Sequence, residues 1–332
     1  MTDGANILEI IDLKTYFFTD EGVVKAVDGV NLTIPQGESV GLVGESGSGK
    51  SMTAFSILRL VPDPPGKIVS GQILLHGQDL LKVSEKEMRN IRGKKISMIF
   101  QEPLTSMNPS FTIGSQIEEA IRFHQGGRAS DVRERALALL RSVKIPDPER
   151  ILNQYPHELS GGMLQRVMIA IALSCEPDLL ICDEPTTALD VSTQAQIITL
   201  LNELRNQKKT SFLFITHDLG VLAWICTYAA VMYAGNIVEY SHIRRLIRSP
   251  KHPYTQALIG ASPRLDCARD ALKSIPGSVP NLIEPPTGCR FHPRCDQAGI
   301  VCSAEAPPLK EAESGHWVAC FGERDGDGVR RT

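Results

Sequence analysis

The fold of this chain is decided by one stretch, Gly44-Glu45-Ser46-Gly47-Ser48-Gly49-Lys50-Ser51, which matches the pattern G-x-x-x-x-G-K-[ST] at every fixed position. Ser39 to Val43 before it has the composition of a buried strand, and Met52 to Leu60 after it that of a helix. A phosphate-binding loop needs this context, because its backbone N–H groups and the positive end of the helix face the phosphate oxygens. The alternative is a glycine- and serine-rich turn that matches by chance. We predict a nucleotide-phosphate site.

Two carboxylates further along the chain complement this loop. The apolar run Leu179 to Cys182 leads directly into Asp183 and Glu184, as in a strand that ends beside a bound metal. We expect Lys50 to reach the β- and γ-phosphates, and Ser51 and Asp183 to hold Mg²⁺. Glu184 is the candidate general base for water, a role that contributes roughly 10²–10⁴ in rate. A solvated acidic turn is the alternative, which the preceding apolar run disfavours.

Two polar residues directly follow predicted strands. Gln101 comes after Ile96 to Phe100, and His217 comes after Ser211 to Thr216. The carboxyl ends of strands in α/β sheets are where ligands bind. A histidine at such a place can also be purely structural, and a single glutamine there means little by itself.

A glycine pair opens another predicted helix. Leu159 to Met163 precedes the apolar helix Leu164 to Ser174, with Ser160 placed as its N-cap. Gly161 and Gly162 would let an anion approach the helix N-terminus. Taken alone, the five residues favour an ordinary capped helix.

Bulk properties narrow the class of protein. A length of 332 residues suggests about two domains. With 42% apolar and 22% charged residues the chain is typical of a soluble globular protein, and a net charge of −3 gives no basic field for nucleic acid. Met1 to Leu8 lacks an apolar core, so we expect no secretory signal. Leu219 to Gly235 carries no charge, but we interpret it as a short helix and a strand and not as a membrane span.

The eight cysteines form two groups. The scattered ones are predicted core residues, namely Cys175, Cys182, Cys226 and Cys267. The others are separated by five, six and seventeen residues in a proline-rich segment, namely Cys289, Cys295, Cys302 and Cys320. In a reducing compartment such clustering favours metal over disulfides. Four thiolates suit Zn²⁺ or a [4Fe–4S] cluster, and spacing alone does not choose, because no C-x-x-C is present.

Taken together, these stretches resemble the ATP-binding subunit of an ABC transporter over about Ile7 to Ser249. The motifs are Walker A (Gly44 to Ser51), the Q-loop (Gln101), the signature (Leu159 to Met163), Walker B (Leu179 to Glu184), the D-loop (Ala188 to Asp190) and the H-switch (His217). Met163 departs from the glutamine usual in the wider family.

The resemblance implies roles for several residues. Catalysis falls to Glu184, His217 and Gln101, with Gln101 also near Mg²⁺. Phe17 would stack on adenine, with Tyr16 as the fallback, although a strand aromatic facing the core is the alternative. The signature residues that would contact the γ-phosphate of ATP bound to a second ATPase chain are Ser160, Gly161 and Gly162.

A finer resemblance is to oligopeptide/dipeptide importers, in which methionine at the fifth signature position is ordinary. It is carried by Gln101 to Pro109, Tyr155 to Met163, His252 to Thr255 and Gly288 to Cys295. Nickel and glutathione importers share much of this pattern, so the cargo stays open. The resemblance also implies that the late cysteine quartet binds a [4Fe–4S] cluster, with Zn²⁺ as the alternative. We expect its role to be structural, since nothing in the sequence places it near Lys50 or Glu184.

We therefore predict an α/β P-loop ABC ATPase core (residues 1–250) with an antiparallel β subdomain, a helical subdomain (about 113–175) and a small irregular Cys-rich extension (251–332). The expected cofactors are ATP, Mg²⁺ and the cluster. The expected partners are a second, paralogous ATPase, two transmembrane permeases contacted through the loop Glu102 to Phe111, and an extracytoplasmic substrate-binding protein, with no nucleic acid. The location would be peripheral, at the cytoplasmic face of the plasma membrane. A soluble ABC ATPase of DNA repair or translation is the rival, but no long coiled coil or second nucleotide domain is present.

Overall fold

The computed structural model describes residues 5–187, 189–208, 210–261 and 275–322. The predicted D-loop residue Ala188 and the predicted core cysteine Cys267 lie outside these residues. The chain divides into two compact units. The first unit comprises Met1–Thr33, Ser39–Leu81 and Ile215–Thr332, and the second comprises Ile34–Glu38 and Lys82–Phe214.

The strands are numbered in chain order. They are β1 (Asn6–Thr19), β2 (Gly22–Pro35), β3 (Ser39–Val43), β4 (Gly66–Leu75), β5 (Gln78–Asp79), β6 (Ile96–Ile99), β7 (Leu179–Asp183), β8 (Ser211–Thr216), β9 (Tyr228–Tyr233), β10 (Asn236–His242), β11 (Lys310–Glu313) and β12 (His316–Val318).

The helices are numbered in the same way. They are α1 (Lys50–Ile57), α2 (Glu85–Ile91), α3 (Pro103–Ser106), α4 (Ile113–Gln125), α5 (Ala129–Ser142), α6 (Pro148–Ile151), α7 (Gly161–Leu173), α8 (Val191–Lys208), α9 (Leu219–Ile225), α10 (Ile243–Arg248), α11 (Pro253–Ala261) and α12 (Ile300–Ala304).

The first unit contains two strand arrangements. The strands β2-β1-β4-β5 form a four-stranded sheet in which β4 pairs antiparallel with both β1 and β5. The order β11-β12-β10-β9-β3 forms the other arrangement, with β3 parallel to β9 and the remaining pairs antiparallel. Every residue of β3 is buried, as expected for a strand covered on both faces.

The second unit combines β8, β7 and β6, adjacent in that order, with the helices of the middle of the chain. β6 and β7 are parallel, and every residue of both strands is buried. α4 packs against α5, and α7 packs against both. α4 buries Ile113, Ile117 and Ile121, which recur every four residues and so share one face of the helix.

The structure agrees with most of the predicted elements and differs at their ends. The predicted strand before the phosphate loop is β3, whereas α1 begins two residues earlier than predicted and ends at Ile57. Among the described residues no helix is long and apolar enough to cross a membrane, and Leu219 to Gly235 divides into α9 and β9 as predicted.

The segment after residue 250 is more regular than its many prolines suggested. β12 pairs with β10, so a strand of the predicted extension joins the strand arrangement that contains β3. Proline spacing cannot reveal this pairing, because it depends on an open strand edge that is supplied far away in the sequence.

Candidate functional site

The phosphate loop Gly44 to Ser51 joins β3 to α1 in the first unit. Lys50, at the start of α1, is 5% exposed. Its Nζ donates hydrogen bonds to the carbonyl oxygens of Gly44 (2.9 Å) and Glu45 (3.0 Å). The loop therefore wraps around the ammonium group and holds it where the motif requires a phosphate-binding cation.

Two glycines are required by close contacts in this loop. A Cβ on Gly44 would lie 2.1 Å from the carbonyl oxygen of Met232. Gly49 has φ +105°, and a Cβ there would lie 2.3 Å from the carbonyl oxygen of Ala26. Ser48 Oγ is buried and has no hydrogen-bond partner among the described residues. The loop thus offers a buried polar group and a glycine-lined backbone, which fit a bound phosphate.

Glu45 of this loop is held by two residues that the sequence did not single out. Its N–H donates to the hydroxyl of Tyr254 (2.8 Å). Its carboxylate accepts from both terminal nitrogens of Arg294, at 2.8 and 3.1 Å. The only sequence signal was that both residues belong to segments that carry the resemblance to peptide importers. Nothing in the sequence placed the cysteine-rich segment near Lys50 or Glu184, yet Arg294 of this segment contacts the phosphate loop directly.

The two aromatic candidates for adenine stacking have different surroundings. Tyr16 donates a hydrogen bond to Asp28 (2.5 Å), and burial followed by this bond raises the pKa of Tyr16 to about 12. Phe17 is half-buried opposite Gly66, where a Cβ would lie 2.8 Å from the Phe17 ring. Because Tyr16 already has a polar partner, Phe17 stays the preferred prediction.

In the second unit, Asp183 ends β7 and is 2% exposed, while Glu184 follows it in the left-handed region with φ 45°. A non-glycine residue with this φ is strained, and such strain clusters at functional sites. Glu184 Oε2 accepts from Thr187 Oγ1 (2.9 Å) and from Gln101 Nε2 (3.4 Å). The structure therefore brings two predicted site residues together and adds Thr187, which the sequence analysis missed.

The signature segment begins α7. Ser160 caps this helix by accepting from the N–H of Met163 (3.4 Å), as predicted. A Cβ on Gly162 would lie 2.8 Å from the methyl group of Thr193. Thr193 in turn donates through its N–H and hydroxyl to Asp190, which lowers the pKa of that carboxyl. The signature glycine and the described part of the D-loop are thus packed together.

His217 lies directly after β8 and is exposed. The next residue, Asp218, caps α9 by accepting from the N–H groups of Gly220 (2.7 Å) and Val221 (3.3 Å). The position at the carboxyl end of a buried strand agrees with the prediction, while the catalytic role of His217 stays a prediction.

The four late cysteines are half-buried, and none forms a disulfide. Burial raises the pKa of the Cys320 thiol to about 11, and the charges of the other three cysteines add to this effect. Burial likewise raises the pKa of Cys289, although N–H groups of Phe291 and His292 oppose it. Among the described residues, however, no group of three or more His, Cys, Asp or Glu is arranged to hold a metal ion. The predicted cluster is therefore not supported as a preformed site.

The phosphate loop, the acidic pair at the end of β7 and the capped signature helix define an ATP-binding cassette. A family model described as ABC transporter matches residues 27–187. A second model, described as the C-terminal region of oligopeptide/dipeptide transporters, matches residues 238–302.

Whole-chain similarity gives the family. The chain is 49% identical to the oligopeptide transport ATP-binding protein AppD of Bacillus subtilis, over 96% of this chain and 97% of that protein. It is 48% identical to the dipeptide transport ATP-binding protein DppD of Escherichia coli, over 95% of this chain and 96% of that protein. The chain belongs to the ABC transporter family, as one of its ATP-binding subunits.

Solved structures confirm the predicted fold class. A dimeric ATP-binding cassette bound to ADP and phosphate in a post-hydrolysis state superposes with a TM-score of 0.64 at 29% identity, covering 71% of this chain and 99% of that one. A subunit of an ABC transporter complex from Clostridium perfringens superposes with a TM-score of 0.63 at 25% identity, covering 74% of this chain and 92% of that one.

Proposed function

We propose that this chain binds and hydrolyses ATP to power the import of di- and oligopeptides through a membrane transporter. The observation that carries the proposal is the joint similarity of the cassette and of residues 238–302 to peptide transport ATP-binding proteins. The buried Lys50 in its glycine-lined loop supports the ATP-binding part. Nickel or glutathione as cargo is the alternative.

The division of roles within the site is part of this proposal. Lys50 and the N–H groups of Gly44 to Ser51 bind the phosphates, and Phe17 stacks on the adenine. Ser51, Asp183 and Gln101 hold Mg²⁺, which would neutralise phosphate charge. Glu184 orients and deprotonates the attacking water, and its contacts with Thr187 and Gln101 support a fixed carboxylate. His217 assists at the γ-phosphate.

The partners follow from the same similarity. The similarity to a cassette solved as a dimer supports a second ATPase chain and shared active sites. We propose a paralogue in preference to a copy of this chain, as the resemblance to peptide importers implies. Ser160 to Gly162 of each chain would contact the ATP of the other. Two permeases would dock at Glu102 to Phe111, where Leu104 and Phe111 are more than half exposed, and an extracytoplasmic substrate-binding protein would act through them. The chain would then work peripherally at the cytoplasmic face of the membrane.

Replacing Lys50 by alanine tests the proposed function. Hydrogen bonds from a charged group contribute about 1.5–3 kcal/mol, so the Kd of the purified chain for Mg·ATP should rise about ten- to a hundredfold. Peptide uptake should be lost in cells that lack their own peptide importers and carry this chain with its transporter subunits. Equilibrium binding and uptake of a labelled dipeptide and tripeptide measure the two effects.

The matched control is Lys86→Ala, since Lys86 is an exposed lysine on α2 and should leave both measurements unchanged. Uptake that persists at the normal rate in Lys50→Ala would contradict the proposal. Uptake of nickel or glutathione without peptide uptake would show that the transporter imports the alternative cargo.

We also propose that Cys289, Cys295, Cys302 and Cys320 hold a [4Fe–4S] cluster when iron and sulfide are supplied. Four thiols in one segment are the donor set of such a cluster, and the N–H of Cys289 donates to the carbonyl oxygen of Cys302 (2.8 Å), which brings two of the four cysteines together. The N–H groups around Cys289 and the N–H of Gly322 at Cys320 (3.4 Å) are suited to stabilise thiolate sulfur. Binding of the cluster requires these thiols to rearrange from the positions described.

Anaerobic purification tests this site. The protein should be brown and contain about four irons and four sulfides per chain. The Cys295→Ser variant should lose most of the iron and sulfide. The Cys175→Ser variant changes a buried cysteine of the second unit and should keep its iron and sulfide. Colourless protein with stoichiometric zinc would decide for Zn²⁺, and metal-free protein would contradict both versions.

A further inference from the structure

Arg294 joins the cysteine-rich segment directly to the phosphate loop. Its guanidinium makes a two-pronged contact with the Glu45 carboxylate, at 2.8 and 3.1 Å. The Arg294 side chain is 6% exposed and that of Glu45 is 27% exposed, so the pair is largely shielded from water. Forked arginine–carboxylate pairs of this kind are stronger and more directional than neutral hydrogen bonds.

The Arg294 side chain has further contacts besides Glu45. Its Nε donates to the carbonyl oxygen of Pro276 (2.7 Å), and its guanidinium carbon lies 5.7 Å from the centre of the Tyr233 ring. The same guanidinium lies 5.9 Å from the ring centre of Phe291. Tyr233, Phe291 and the loop-contacting Tyr254 pack against one another, with ring centres 4.6 to 5.3 Å apart. These contacts hold the guanidinium beside Glu45.

A second arginine of the same segment, Arg290, contacts residues that neighbour the phosphate loop. Arg290 forms an ion pair with Asp28 and donates to the carbonyl oxygen of Ala234. The next residue, Gly235, donates its N–H to the carbonyl oxygen of Ser48 within the phosphate loop (2.8 Å). Residues 290–294 therefore contact the phosphate loop directly at Glu45, through Arg294, and indirectly at Ser48, through Ala234 and Gly235.

The charge of Glu45 explains why such a contact matters. A carboxylate in a loop that receives a triphosphate repels the ligand, and the repulsion is strong where water is largely excluded. Arg294 neutralises this charge and draws the side chain toward the cysteine-rich segment. The pKa of Arg294 is raised, first of all by its hydrogen bonds to Glu45, as expected for a stable ion pair.

We propose that Arg294 is a positioning residue for ATP binding, which neutralises Glu45 and so makes the phosphate loop receptive to the triphosphate. The cysteine-rich segment is then part of the nucleotide site in function as well as in space. This inference rests on ATP binding by the phosphate loop and goes beyond it, because it assigns a role to a residue outside the cassette motifs.

The test uses the purified full-length chain and Mg·ATP, with equilibrium binding and thermal unfolding measured on the same samples. Arg294→Ala should raise the Kd for ATP about tenfold, which corresponds to about 1.4 kcal/mol. Glu45→Gln added to Arg294→Ala should return the Kd to within about threefold of wild type, because a neutral side chain no longer needs a counter-charge. Arg294→Lys keeps the positive charge but loses the two-pronged contact, so its Kd for ATP should lie between those of the wild type and Arg294→Ala.

Two reference variants separate the possible outcomes. Arg248→Ala removes an exposed arginine of α10 and should change nothing, while Lys50→Ala reports the loss of the phosphate-binding cation. An unchanged Kd in Arg294→Ala overturns the inference and leaves ATP binding intact. A double variant as weak as Arg294→Ala overturns it as well, since Arg294 would then act only as an anchor. If Arg294→Ala does not fold, Arg294→Lys provides the test. A Kd for Arg294→Lys as weak as that of Lys50→Ala would also overturn the inference, because a positive charge at position 294 would then not support ATP binding. Failure of the wild type to bind ATP would overturn the proposed function itself.

Discussion

Replacing Glu184 by glutamine should lower ATP hydrolysis in the assembled transporter by on the order of 10²-fold or more while ATP binding is retained. The amide keeps the size of the side chain but cannot accept the proton of the attacking water. Glu184 is suited to this role because it follows the buried Asp183 in a strained conformation, with hydrogen bonds from Thr187 and Gln101 to its carboxylate. Phosphate release and the Kd for Mg·ATP are the two measurements.

The same variant also tests the shared site. With hydrolysis blocked, ATP should hold two ATPase chains together. Light scattering after gel filtration should then show the mass of a dimer only when Mg·ATP is present. A complex that forms only when a paralogous ATPase is added supports the heterodimer, and one formed by this chain alone supports a homodimer. The matched control is Glu203→Gln, an exposed carboxylate of α8 paired with Lys144, which should hydrolyse normally. Near-normal turnover in Glu184→Gln would remove Glu184 from the role of base.

Replacing Glu239 by alanine should lower the free energy of unfolding by about 3–5 kcal/mol, the usual cost of removing one partner of a buried ionisable pair. Glu239 on β10 is fully buried and accepts from the N–H groups of Lys251 (2.7 Å) and His252 (2.9 Å). It also contacts Nε2 of the buried His316 on β12 at 2.7 Å. Alanine would leave these groups buried without their acceptor and would weaken the attachment of β12 to β10. Urea denaturation of the full-length chain measures the loss.

A carboxylate at the edge of the same region provides the comparison. Glu313 on β11 forms an exposed ion pair with Lys251 (2.5 Å). Exposed pairs contribute about 0–1 kcal/mol, so Glu313→Ala should have little effect. If Glu239→Ala were no more destabilising than Glu313→Ala, the buried group on β10 would not be what holds the C-terminal strands in place.

The sequence by itself determined the class of fold and predicted most of the candidate nucleotide site. Gly44 to Ser51, the run into Asp183 and Glu184, and the cap at Ser160 are local signals, because each depends on residues within a few positions of one another. The backbone of a phosphate loop and the N-cap of a helix are decided at this range. For the same reason α9 and β9 could be distinguished within one uncharged stretch, and the motifs were sufficient to predict the family.

Only the tertiary structure decided what supports that site. Arg294 lies 249 positions from Glu45, and Tyr254 lies 209 positions from it. Pairs such as Glu239 with His316 or Gln101 with Glu184 are similarly distant, at 77 and 83 positions. No periodicity or spacing in the sequence identifies Glu45 as the partner of Arg294. The contact depends on Tyr233, Tyr254 and Phe291, which pack together beside the guanidinium. Local backbone conformation depends on neighbouring residues and can be predicted from them. Long-range ion pairs form only when packing of the core brings distant segments together.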